Sequence, residues 1–98
     1  MSSRGRPKKH RNVNFEPRVN QFSPRGKPGR PDEIFLSIDE FEALRLADFN
    51  GQGQREAARS MGISQQTFSR IIKRARKAVA EALVKGKIIK IIRERYAQ

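Results

Sequence analysis

The chain has 98 residues, of which 36% are apolar and 33% charged, so it holds one small domain with a modest core and excludes a multi-domain enzyme. Twenty-two Lys and Arg stand against ten Asp and Glu, a formal charge of +12, which favours a polyanionic partner, with nucleic acid first among the candidates. There is no cysteine, hence no disulfide or thiolate metal site, and no apolar run approaches the ~18 residues needed to span a bilayer. No secretory signal follows Met1, so the expected location is the cytoplasm, in association with the nucleoid.

Charge divides the chain into three blocks. Residues 1–31 carry nine Lys/Arg and one acid, residues 32–50 six acids and one arginine, and residues 51–98 twelve Lys/Arg and three acids. The first block also holds all five prolines, together with Gly5, Gly26 and Gly29, and reads as a basic arm, extended or disordered. Within it Val13, Phe15, Val19 and Phe22 are candidates for docking on the domain, and the alternation of Val13 and Phe15 suggests a short strand at 12–15. Arg4-Gly5-Arg6-Pro7, followed by Lys8 and Lys9, has the form of an AT-hook: glycine allows close backbone approach while arginines enter a narrow minor groove. A solvated arm touching phosphates is the plainer reading of the same residues.

The domain is expected to occupy residues 32–98. Ser37 and Glu40 have the spacing of a capping box, which starts a first helix running to about Phe49, with Asn50-Gly51 as its stop. Asp39, Glu40 and Glu42 fall in its first turns, where the helix dipole favours negative charge and where they can pair with the basic helix. A second helix spans 54–61 with Ala57, Ala58 and Met61 inward. Gly62-Ile63-Ser64 then breaks the pattern. Gly62 supplies a left-handed turn, Ile63 plugs the elbow, Ser64 caps the next helix, and Ala58 is small where two helices must approach. The following helix buries Phe68, Ile71, Ile72, Ala75, Val79, Ala82 and Leu83 and reaches about Leu83 or Val84.

These features predict a mainly α, three-helix helix-turn-helix domain with an extended basic N-terminal arm. In that motif the second helix enters the major groove. Ser64, Gln65, Gln66, Ser69 and Arg70 would then meet base edges, Gln by paired bonds to adenine and Arg by paired bonds to guanine. Lys73, Arg74 and Lys77, further along, suit phosphates. The solitary His10 gives no partner for a metal cluster or a catalytic triad, and neither a cofactor nor a catalytic step is expected. Ile88–Ile92 reads as a strand that either joins 12–15 or 34–36 in a small sheet or serves as a dimer edge.

From Ser37 onward the sequence resembles the domain-of-unknown-function 134 family, small predicted DNA-binding proteins with a helix-turn-helix similar to region 4 of sigma factors. The resemblance rests on the run from Asp39 to Asp48, on Gly51, Gln54, Ala57-Ala58, Met61-Gly62, Ser64, Gln66-Thr67-Phe68, Arg70, Ala75-Arg76 and Ala82-Leu83, and upstream on Arg11, Val13, Pro17, Val19, Phe22 and Pro24. It implies sequence-specific binding of double-stranded DNA with a role in transcription regulation. The alternative is a nucleoid-type architectural protein that reads A·T-rich shape. A homodimer and a contact with RNA polymerase through the acidic segment are the further partners the sequence leaves open.

Overall fold

The computed structural model describes residues 11–93. The fold is mainly α with a small sheet: β1 (Gln21–Phe22), β2 (Glu33–Ser37), α1 (Ile38–Leu44), a π-helical turn (Arg45–Phe49), α2 (Gln54–Met61), α3 (Gln65–Lys85) and β3 (Ile88–Ile92). The first helix starts where the Ser37–Glu40 spacing places it. The Glu40 amide donates to Ser37 Oγ at 3.3 Å, and the Ser37 amide donates to Glu40 Oε1 at 2.9 Å. It continues to Phe49 with a wider last stretch, in which the Asn50 amide reaches back five residues to the Arg45 carbonyl at 2.8 Å. Leu46 is thereby buried while Phe49 stands outside. Gly51, and not Asn50, takes the positive φ that ends the segment.

The core lies where the three helices meet and comprises Ala43, Leu46, Ala57, Ala58, Met61, Phe68, Ile71 and Ile72, with Leu44, Ala47 and Ile63 packed at its margin. Alanine at 43, 57 and 58 lets the helix backbones approach while Phe68 and Met61 fill the space between them. Beyond Ala75 the buried face of α3 narrows to Ala82. Leu83, expected inside, is 76% exposed, because the core ends before that turn and only the sheet reaches the last turns of the helix.

In the sheet, β3 is central. It pairs in parallel with β2, Glu33 opposite Ile88 through Ser37 opposite Ile92, and antiparallel with β1, Gln21 opposite Lys90 and Phe22 opposite Ile89. The parallel pair requires a long crossover, which the helices provide. Ile88–Ile92 therefore docks within the chain on 33–37, as one reading of its sequence had it. Residues 12–15 form no strand. Their backbone is taken by the helices: the Asn12 amide donates to the Met61 carbonyl at 3.0 Å and the Asn14 amide to Glu42 Oε2 at 3.0 Å. Phe15 stacks on Phe41 with ring centroids 6.1 Å apart and lies beneath the Arg45 guanidinium. Residues 11–17 are thus a strap across the helices.

Three carboxylates at the head of α1 are buried, and each has an arginine from a different segment. Asp39 meets Arg11 of the strap at 3.5 Å, Glu40 meets Arg74 of α3 at 3.2 Å, and Glu42 meets Arg45 at 2.8 Å. Asp39 also accepts the Ser37 hydroxyl. Burial pushes the Glu42 carboxyl up, but the Arg45 guanidinium and the Asn14 amide outweigh it and hold its pKa below the ordinary 4.5.

Three substitutions probe this packing. Glu42→Gln leaves Arg45 without its anion and should cost about 3 kcal/mol at neutral pH. Because the folded pKa of Glu42 is depressed, its contribution is present above pH ~4.5 and is lost as pH falls through the folded value, so the gap between the native protein and the variant, measured by denaturant unfolding, should shrink on acidification. At Gly62 (φ +68°) a Cβ would lie 3.1 Å from the Asn12 side-chain nitrogen. Gly62→Ala should therefore cost about 1–2 kcal/mol, seen as a fall in Tm of about 4–8 °C per kcal/mol. Gly53→Ser, at an extended N-cap with open space around it, should be neutral or slightly stabilising.

Candidate nucleic-acid interface

The turn between α2 and α3 is built from the residues its sequence singled out. Gly62 sits in the left-handed region, its amide donating toward the carbonyls of Ala58 and Arg59, and the Ile63 amide donates to the Ala58 carbonyl at 3.1 Å. Ala58 is buried, and Ile63 packs half-buried against the core. Ser64 is the N-cap of α3: its Oγ accepts the Thr67 amide at 3.0 Å and donates to the Thr67 hydroxyl at 2.9 Å. Met61 and Phe68, on either side of the turn, are fully buried and fasten both helices to one core.

This arrangement leaves a defined face of α3 in solvent. Gln65, Gln66, Ser69, Arg70, Lys73 and Lys77 are all exposed, and at ~100° per residue they occupy an arc of roughly 140° opposite Phe68, Ile71, Ile72 and Ala75. Among the described residues no ion pair engages Arg70, Lys73 or Lys77. Two further arginines, Arg76 within the arc and Arg74 just beyond it, are engaged. Arg74 is held by Glu40, although more than half of its side chain is exposed. Arg76 makes a two-pronged contact with Asp48, at 2.8 and 3.0 Å. The hydrogen bond from Arg76 holds the Asp48 carboxyl below its ordinary range against slight burial, and Asp48 in turn raises Arg76. The predicted base-reading set therefore shares one face with Lys73 and Lys77, whereas Arg74 is already occupied by an internal partner.

Asn12 is the site residue that sequence reasoning missed. It lies over the turn, its amide on the Met61 carbonyl and its side chain against Gly62, and no local pattern in a single sequence marks such a contact between distant segments. The predicted minor-groove residues Arg4, Arg6, Lys8 and Lys9, together with His10, lie outside the described residues. Among the described residues no helix is long and apolar enough to cross a membrane.

A model of the family described as "Protein of unknown function DUF134" matches residues 1–97. The chain is 52% identical over 88 residues to a UPF0251 protein of Prosthecochloris aestuarii, covering 89% of this chain and 57% of that protein. It is 51% identical over 86 residues to a UPF0251 protein of Caldicellulosiruptor bescii, with 88% and 60% covered. A UPF0251 protein of Vibrio vulnificus is 52% identical over 85 residues, with 86% and 85% covered. The chain thus spans little more than half the length of the first two of these relatives. No solved structure matches it. On the extent of the family match and the level of identity to these relatives, the chain belongs to the DUF134 family.

Proposed function

We propose that the protein binds double-stranded DNA in a sequence-dependent manner and regulates transcription by occupying a site through the first half of α3. The observation that carries this reading is the exposed face of that helix. It bears three amide or hydroxyl side chains followed by cations that, among the described residues, no ion pair engages, directly after a left-handed Gly62 turn. A solvated helix facing only water would gain from mixed charge along such a face. Here the acids of the preceding segment are buried or paired elsewhere. An α-helix of ~10–12 Å diameter fits the ~12 Å major groove, and the N-terminal half of α3, held on the core by Phe68, Ile71 and Ile72, offers its opposite, solvent-exposed face to the bases.

The roles divide along the helix. Gln65, Gln66, Ser69 and Arg70, with Ser64 at the cap, stand at the end that meets base edges. Lys73 and Lys77 stand where the helix leaves the groove and phosphates come into range. Arg74 serves mainly to tie α3 to α1 through Glu40, so its contribution to DNA is secondary to its contribution to the fold.

Selection of bound duplexes from a random pool should yield a defined motif. With that motif in hand, Arg70→Ala should relax the preference at one base pair by about 10–100-fold, while Lys77→Ala should weaken all duplexes alike and reduce the salt slope by about one. Equal losses on selected and random duplexes from both variants would refute this division of roles. With about six phosphates neutralised, log K against log salt should fall with a slope near −5, and a flat response would reject nucleic acid as the partner.

A further inference from the structure

The six cations of α3 are unevenly placed around it. At ~100° per residue, with Lys73 as the reference, Lys77, Arg70, Arg74 and Lys85 fall about 40–120° to one side. Arg76 alone falls to the other side, by about 60°, beside Ser69 and Gln65. A helix seated in the major groove has a phosphate strand along each of its flanks. Arg76 is therefore the α3 cation turned toward the second of the two strands.

In the structure that charge is already met. The Asp48 carboxylate accepts from both Nε and Nη2 of Arg76, at 3.0 and 2.8 Å, yet the two side chains remain 44% and 50% exposed. Arg45, in the same turn as Asp48, is taken by Glu42, and among the described residues Arg76 is the only cation that Asp48 meets. The turn that carries Asp48 is closed by the Asn50 amide on the Arg45 carbonyl at 2.8 Å and the Gln52 amide on the Leu46 carbonyl at 3.0 Å, with Leu46 buried. Asp48 is thus held in place beside the arc. A guanidinium fork grips a carboxylate and a phosphate in the same two-pronged way, so Asp48 stands in for the anion that a groove wall would supply. An ion pair this exposed is weak enough for a phosphate to compete with it.

We propose that Asp48 is a gate on Arg76: on a matching site α3 seats deeply enough for a phosphate of the second strand to replace the carboxylate on the guanidinium, whereas on other sequences the pair stays closed. A phosphate contact carries no sequence information of its own. The gate makes this one conditional on the fit of the base-reading residues. This rests on the assignment of α3 to the major groove and adds to it a residue, a strand and a source of selectivity.

The test uses the full chain, the duplex motif it selects and a random duplex of equal length. Asp48→Asn frees Arg76 on every sequence. It should raise affinity for the random duplex about tenfold at low salt and steepen that salt slope by about one, while the selected duplex gains no more than about threefold. Asp48→Asn/Arg76→Gln, which keeps the native net charge, should return random binding to the native level. Copies of the selected duplex that each carry one uncharged methylphosphonate then locate the contact. One position should weaken the native protein and leave Arg76→Gln indifferent, and it should lie on the strand opposite the position to which Lys77→Ala is indifferent. An equal gain from Asp48→Asn on both duplexes would mean plain relief of repulsion and would overturn the gate, as would the lack of any phosphate position linked to Arg76. Should Asp48→Asn fail to fold, the methylphosphonate series decides alone, since it needs only the native protein, Arg76→Gln and Lys77→Ala. In either case the selected motif and the Arg70 effect persist. If no motif is selected and the salt response is flat, the major-groove assignment fails, and the gate fails with it.

Discussion

The organisation of this small domain depends on keeping three negative charges out of water. Asp39, Glu40 and Glu42 lie within one short helix, and all are buried. Leaving any of them unanswered would cost several kcal/mol, so each must be met by a cation brought from elsewhere in the chain. Arg11, Arg74 and Arg45 supply these cations from three different segments, and the capping box turns Glu40 back on the helix amides as well. The first helix is thus the junction at which the N-terminal strap and the long third helix are both fixed. Because both are fixed to one element, the position of the strap relative to the α2–α3 turn is not free to drift.

The same network changes how the net charge of +12 should be understood. Arg11, Arg45, Arg74 and Arg76 are engaged by internal carboxylates, and Lys87 and Lys90 pair with Glu81 and Glu33. Lys27 donates to the Lys85 carbonyl at 2.8 Å and lies over Gly86, closing the far end of α3. These ion pairs each sum to zero, so they hold the fold together while the excess of +12 rests on the cations outside them. Arg70, Lys73 and Lys77, which among the described residues take part in no ion pair, share one helical arc, and a field concentrated in this way directs a polyanion better than the same charge spread evenly.

The features legible in the sequence are those whose physics is local. Ser37 with Glu40, Gly62 with Ser64, and the apolar spacing from Phe68 to Ala75 each encode their structure within three to eight residues, and each appears in the fold where the spacing puts it. The features that were not legible depend on distant partners. The alternation at 12–15 resembles a strand, yet its amides are claimed by Met61 and Glu42, and strand-like alternation alone does not distinguish an extended strap from a paired strand. The π-helical turn has no compositional mark, and Leu83 continues the apolar spacing past the point at which there is anything to bury against. In the candidate interface the face of α3 was readable from its periodicity. The occupation of Arg74 by Glu40 and the seat of Asn12 on Gly62 were not, since both join segments far apart in the chain.

The placement of β3 between β1 and β2 has a bearing on how the molecule is made. The middle strand of the sheet comes last in chain order, and its two neighbours are bonded to it and not to each other. During synthesis the earlier strands emerge from the ribosome with their ladder groups unsatisfied, and the helical core can assemble while they wait. Only when Ile88 to Ile92 leave the exit tunnel can both edges zip at once. A chain cut short before Ile88 would thus keep β1 and β2 as unpaired edges, open to pairing with other strands.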